Sequence, residues 1–311
     1  MTTKTYDVQL RGIDDIRPYE RNPRINDQAV DAVILDLRRN GGGSLTEAIN
    51  LTGLFIDQGP IVQVKDADGR IQPYHDLKPG STWNGPLVVL TSKFSASASE
   101  ILAGAIQDYN RGLIIGDHAT HGKGTVQSLM DLGRQLFRIP NAPPMGALKI
   151  TMQQFYRPNG ESTQNRGVLA DIELPSLTSH LEVGEADLDY PVAFDKVEPL
   201  KFKRDGCVTD AIRGRLRGLS RERCQKSEDF KKVIKNIARY KEQKERKRVA
   251  LNEKEFLAER AELNADKEEK KQIEEMNDPN RPVIKRDYYF NEALAVTLDY
   301  LQMMQQVAKA N

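Results

Sequence analysis

The chain has 311 residues, with 46 Lys and Arg against 45 Asp and Glu, 39% hydrophobic residues and two cysteines. That length allows one large domain or two to three smaller ones with a real core, and a net charge of +1 removes any bulk electrostatic case for nucleic acid or an anionic membrane as partner. No stretch approaches the ~18 apolar residues of a membrane span, and Met1 to Asp15 lack the basic-then-apolar order of an export signal, so the chain as written is expected to stay in the cytoplasm.

Residues 1 to about 31 are polar and carry Pro18 and Pro23. Ala32 to Leu37 reads as a buried strand, a short apolar run ended by the turn Gly41-Gly42-Gly43. Ser44 is placed to cap a helix that carries Ala48, Leu51, Leu54 and Phe55 at helical spacing. Strands are predicted at Ile61 to Val64 and Pro86 to Thr91. Asp68-Gly69, Pro79-Gly80 and Asn84-Gly85 mark loop and hairpin between them. A helix follows from Ser97 to Tyr109, then a strand from Leu113 to Ile115. Thr125 to Leu132, Gln135 to Ile139 and Ala147 to Tyr156 read as further strands. This alternation is the α/β pattern and predicts a mostly parallel sheet.

After about Glu198 the composition changes, and Phe202 to Arg286 is dense in Lys, Arg and Glu. Phe230, Val233, Ile234 and Ile237 form one narrow apolar stripe. Glu242 to Glu275 is nearly all charged, with opposite signs at helical spacing, which predicts a long exposed helix. Asp278 to Pro282 is a break, and a last helix from about Asn291 puts Leu294, Leu298, Leu301 and Met304 on one face. Cys207 and Cys224 fit no metal-site spacing; a bridge and a pair of free thiols both remain open.

Two short runs carry chemistry. Phe94-Ser95-Ala96-Ser97-Ala98-Ser99-Glu100 places a serine where a strand gives way to a helix, and His121-Gly122-Lys123-Gly124-Thr125-Val126-Gln127 places a lone lysine between glycines. A serine hydroxyl needs a base to take its proton. Lysine serves only when neutral, so its free pKa near ~10.4 has to fall through burial. Glycines on either side let the backbone pack closely around Lys123, and the amide of Gln127 is suited to hold a neutral amine without adding charge. The amino end of the helix points unpaired N–H groups at Ser97. The Ala98 N–H is thus a candidate oxyanion donor, with a second in the Gly42–Gly43 turn. Both turns follow strands of one sheet and emerge at the edge where open α/β sheets place their ligands.

Each feature alone has a plainer reading: an N-cap for Ser97, a phosphate or solvent contact for Lys123, a simple turn for Gly41 to Gly43. The combination, in this order, points to acyl transfer. His118 and His121 lack partners at metal-ligand spacing, and His75 and His180 read as surface residues. The rival is a Ser–His–Asp hydrolase built on Ser97, His121 or His118, and Asp108. Asp108 lies about three turns (~16 Å) along the helix from Ser97, so it reads as structural or as an anchor for the lysine loop.

At these residues the chain resembles the tail-specific proteases, or C-terminal processing peptidases. The matching features are Val33 to Arg38 with Asn40 to Gly43, Phe94 to Glu100, Gly122 to Gln127, and Phe155 to Gly160 leading to Gly167-Val168. The charged tail, with Cys207 and Tyr288 to Asn291, resembles the helical C-terminal region of the long bacterial members. The resemblance implies an α/β core related to the crotonase and Clp-protease folds with an all-helical C-terminal region. It implies a Ser97–Lys123 dyad assisted by Gln127, Asp108 as the family's further aspartate, and no metal or cofactor. Its substrates would be proteins with nonpolar C-termini, with an adaptor protein as a further partner, in the periplasm. The serine-to-lysine interval is about one residue longer than is usual in the family, at Asp117 to His121. The family's export signal, N-terminal helical region and PDZ domain have no counterpart in the sequence. Residues 1 to 30 instead resemble the start of a ParB-like domain, around Ile13 to Arg24. The expected division is 1–30 as an unrelated segment, 31–197 as the peptidase core, and 198–311 as the helical region. Whether such a chain turns over, or acts as a binding protein or scaffold, is left open.

Overall fold

The structure, a computed structural model, describes residues 32–137, 143–245, 251–254, 274–275, 278 and 286–310. The ParB-like stretch, the break after Asp278 and most of the charged run from Glu242 to Glu275 lie outside the described residues.

Four parallel strands form the first sheet: β1 (Val33–Asp36), β4 (Leu87–Thr91), β5 (Leu113–Gly116) and β8 (Ile172–Glu173), in the order β1-β4-β5-β8. Successive side chains of a strand point to opposite faces, and this sheet uses both. Leu35, Leu87, Val89 and Ile114 enter one core with the helices α1 (Leu45–Gly53) and α2 (Ala98–Asp108). Val88, Leu90, Leu113 and Ile115 enter a second core, closed by α4 (Asp210–Lys226), α5 (Glu228–Glu245) and α6 (Tyr288–Ala310). That is why β4 and β5 read as unbroken apolar runs: a parallel sheet covered on both sides has no solvent face. The C-terminal helices are therefore half of the sheet's packing.

The expectation of one mostly parallel sheet needs correcting. A second, antiparallel sheet holds β2 (Gly59–Asp66), β3 (Ile71–Asp76), β6 (Thr125–Asp131) and β7 (Ala147–Tyr156), in the order β3-β2-β7-β6. The predicted strand at Gln135 to Ile139 is also corrected as far as Phe137, its last two residues lying outside the described ones. Leu132–Phe137 is a short helix, α3, whose first turn is tied when Asp131 Oδ1 accepts the Arg134 N–H at 3.1 Å, an N-cap arrangement. On α6 the buried face is Phe290, Ala293, Val296, Thr297, Tyr300 and Leu301. Of the four predicted positions only Leu301 is buried, because the helix lies between the sheet and α4 and is covered on more than one side. In the apolar stripe of α5 only Phe230 is buried, set edge-on to Tyr288 with ring centroids 5.3 Å apart.

Ion pairs tie the C-terminal helices to the sheet. Arg38, just past β1, bridges Asp36 (2.7 Å) and Asp287 (2.8 Å), and Arg213 of α4 bonds Asp171 at 3.0 Å. Cys207 and Cys224 are both free thiols, and burial pushes the Cys224 thiol up to about 11.

Candidate active site

The turn after β4 is stitched to the end of β1 by its own serines. Ser95 Oγ donates to Leu37 O at 2.7 Å, Ser99 Oγ to Asn40 O at 2.9 Å and Ser92 Oγ to Arg38 O. The Ala96 N–H adds a bond to Asn40 O at 3.2 Å. Ser97 stands apart: it precedes the first residue of α2, yet its side chain makes no cap hydrogen bond. Its backbone sits at φ 55°, ψ −113°, a region that costs a side-chain-bearing residue ~1–3 kcal/mol and clusters at functional sites. A simple N-cap needs neither the strain nor an unused hydroxyl.

Gly42 lies directly against this turn, at φ +109°, where a Cβ would come within 2.8 Å of Ser97 Cβ and 2.9 Å of Ala96 O. Only glycine fits. In this structure the Gly42 N–H is donated to Asn40 Oδ1 at 3.0 Å.

Glu100, three residues after Ser97, is fully buried and gathers four donors. Oε2 accepts the N–H of Ser97 (2.7 Å) and of Lys123 (3.0 Å); Oε1 accepts the N–H of Gly122 (2.6 Å) and Thr120 Oγ1 (2.5 Å). One carboxylate oxygen thus holds the backbone of both predicted partners, no further apart than two hydrogen bonds end to end. Burial pushes the Glu100 carboxyl up to about 7, while the donors pull it back.

The rest of the lysine loop is equally fixed. The His121 N–H donates to Ser95 O at 2.9 Å, Asn165 N–H to Gly122 O at 2.8 Å and Thr163 Oγ1 to Lys123 O at 3.0 Å. The Gly124 N–H donates to Gln164 Oε1 at 2.8 Å. The flanking glycines permit this closeness, since a Cβ on Gly124 would lie 2.7 Å from Gln164 N and one on Gly122 would lie 3.1 Å from Asn165 C. Lys123 Nζ donates to Gln127 Oε1 at 3.0 Å, aided by a β-bulge between Val126 and Gln127 of the kind that re-aims a side chain. Burial pushes the Lys123 ammonium below its ordinary value and the Lys149 charge adds to the shift, while Glu185 and Glu100 pull it back. In this structure the amine is bonded to Gln127 and not to Ser97 Oγ.

The other predicted residues lie apart. Asp108, buried at the end of α2, pairs with Arg157 (2.5 Å) and accepts Asn159 Nδ2 (3.0 Å). It anchors the loop after β7 and not the lysine loop itself. His118 is exposed and pairs with Glu173 at 3.0 Å. His121 Nδ1 is buried without a hydrogen bond, 3.9 Å from Glu185 Oε2. No chain of bonds links Ser97, a histidine and Asp108 among the described residues. Nothing in the sequence alone assigns Glu100 a role. An acid three residues past a Ser reads as a capping box, which finds one of its four bonds; Thr120, Gln164 and Glu185 carried no signal.

With this geometry in place, the likenesses to known proteins are informative. The family model described as peptidase family S41 matches residues 19–174, and the one described as the C-terminal domain of tail specific protease matches residues 178–302. The tail-specific protease of Haemophilus influenzae is 37% identical over 290 residues, which is 89% of this chain and 41% of that protein. The carboxy-terminal-processing protease of Bartonella bacilliformis is 37% identical over 172 residues, 55% of this chain and 36% of its own length. A solved photosystem II D1 C-terminal processing protease is 34% identical over 48% of this chain and 36% of that one, with a TM-score of 0.41. The chain thus spans less than half the length of these relatives.

Proposed function

The chain belongs to peptidase family S41, and from that premise we propose that it is the catalytic part of a serine endopeptidase of the C-terminal processing kind, with Ser97 as nucleophile and Lys123 as base. The observation that carries this reading is the single Glu100 oxygen that accepts the N–H groups of both residues. It fixes the two side-chain roots as one unit, with the lysine in surroundings that favour its neutral form.

In the proposed reaction the Ser97 Oγ attacks the carbonyl carbon of the scissile peptide as its proton passes to neutral Lys123 Nζ. The Ala98 and Gly43 N–H groups hold the oxyanion; one such donor is worth ~10²-fold or more in rate. The intermediate collapses, the C–N bond breaks, and the Lys123 ammonium returns the proton to the leaving amine. Water, deprotonated by the same amine, then attacks the ester and releases the acid and Ser97. Gln127 holds Nζ between proton transfers, and a side-chain rotation carries it to Ser97. Asp108 supports the Arg157–Asn159 loop. The reaction draws on no metal or cofactor.

The proposal takes polypeptides with apolar C-termini as substrates and the periplasm as the compartment, with an adaptor as a further partner. No described helix is long and apolar enough to cross a membrane. It treats 31–197 as the peptidase core and 198–311 as the helical region. The test is degradation of an unstructured protein ending in apolar residues, beside labelling by a fluorophosphonate probe. Ser97→Ala is expected to abolish both. Lys123→Ala is expected to lower turnover by about 10³-fold or more, and a Lys123→Ala chain that works as fast as the wild type would remove the dyad.

A further inference from the structure

The lysine loop has a second anchor on the side away from Glu100. Gln164 is fully buried, and its amide is oriented by its neighbours. Nε2 donates to Glu185 Oε1 (3.2 Å), Val192 O (3.1 Å) and Asn165 Oδ1 (3.3 Å). That leaves Oε1 turned to the Gly124 N–H at 2.8 Å. Glu185 also reaches the loop directly, its N–H donating to His121 O at 3.0 Å. The Glu185 side chain is itself buried, and its one side-chain hydrogen bond within the described residues is the one to Gln164. Lys123 and Gln164 lie in the stretch matched by the peptidase family, whereas Glu185 and Val192 lie in the stretch matched by the C-terminal domain.

We propose that Glu185 is a positioning residue for Lys123: it fixes the Gln164 amide, and Gln164 in turn fixes Gly124, so that the segment following β8 sets where the base stands. A buried carboxamide has two ends of similar shape and opposite polarity. A carboxylate beside one end decides which way it points, and the Gly124 N–H accepts only one answer. Without Glu185 the amide is held by Val192 O and Asn165 alone and gains freedom to turn. Gly124 then loses its acceptor, and Lys123, one residue away, loses its fixed root. Misplacement of a reacting group by about 1 Å is enough to slow a reaction severely.

This inference rests on the peptidase reading for its consequence, but its first step is measurable without catalysis. The full chain is compared with Glu185→Ala, Glu185→Gln, Gln164→Leu and the double variant Glu185→Ala/Gln164→Leu. Two quantities are followed: amide exchange at Gly124 by NMR, and kcat and KM on an unstructured peptide. Glu185→Ala is expected to speed Gly124 exchange and lower kcat, each by about tenfold, with KM within about twofold. Glu185→Gln still presents an acceptor and is expected to stay within about threefold of wild type on both. Because one residue acts through the other, the double variant should match Gln164→Leu alone. Unchanged Gly124 exchange in Glu185→Ala, or a double variant showing the product of the two single effects, overturns the proposal. If the wild-type chain shows no turnover that depends on Ser97, the peptidase reading is what fails, and Gly124 exchange still decides the role of Glu185.

Discussion

The serine turn and the lysine loop are held by opposite strategies. The serine turn is tied to the end of a neighbouring parallel strand by its own Ser92, Ser95 and Ser99. Whatever forms the β1–β4 pair also forms the turn. The lysine loop takes its partners from Glu100, Thr163, Gln164, Asn165 and Glu185, residues that meet only when several segments have docked. Ser97 is placed by the sheet and Lys123 by the assembly, with the Glu100 carboxylate and the Ser95 carbonyl joining the two. An arrangement of this kind can lose the placement of Lys123 while keeping that of Ser97.

Breaking the shared group should have the largest effect. Glu100→Gln keeps the shape but replaces two of four acceptor bonds with an N–H group facing other donors. Since each unsatisfied buried donor costs ~1–3 kcal/mol, the variant is expected to lose on the order of 3 kcal/mol in urea unfolding and at least about 10²-fold in turnover. It should also change the pH dependence. The folded-state pKa of Glu100 is raised from 4.5 to about 7, so this group alone makes the protein less stable as pH rises across that interval. The Gln variant should lack that fall, and an unaltered slope would show that the carboxyl does not titrate there.

Breaking only the serine side comes next. Gly42→Ala meets both an unfavourable φ and a 2.8 Å approach to Ser97 Cβ. It is expected to lose about 1–3 kcal/mol and about 10²-fold in turnover, with near-native Lys123 loop protection in amide exchange. Ser97→Gly sharpens the same point in the other direction. It should be inactive yet more stable than the wild type by about 1 kcal/mol, since glycine adopts φ 55° without strain; equal stability for Ser97→Gly and Ser97→Ala would show that the turn is unstrained. The smallest expected effect is on the lysine side. Lys149 helps hold the Lys123 pKa down, so Lys149→Gln raises it, and the rising limb of the pH–rate profile moves to more alkaline pH. A shift toward acid would contradict the placement of that charge.

The same contrast explains what the sequence disclosed. β1, β4, α2 and the position of Ser97 were legible because they depend on local apolar runs, a turn and a cap. Gln127 beside Lys123 was legible from a four-residue interval. Glu100 as a hub, and the pairing of Gln164 with Glu185, were not: their partners lie tens of residues away, and no local pattern marks them. Gln135 to Ile139 carries three apolar residues in five, but Asp131 caps a helical turn that runs through Phe137, and five residues are too few for periodicity to decide. The helical face of α6 was misjudged because a helix covered on several sides shows no single stripe. The Asn40 side chain that takes the Gly42 N–H likewise carried no signal.

The two-sided parallel sheet has a practical consequence. Val88, Leu90, Leu113 and Ile115 share their core with Ile172 and Leu174, and the rest of its buried residues, from Val208 to Tyr300, lie beyond residue 197. Uncovering them forfeits roughly 1.5–3 kcal/mol apiece, together comparable with the entire stability of an ordinary domain. A fragment ending near residue 197 would present a greasy, unprotected strand surface and would be expected to precipitate. Minimal versions designed for crystallography or engineering must therefore carry the carboxy-terminal lining with them, or replace it with another apolar cover.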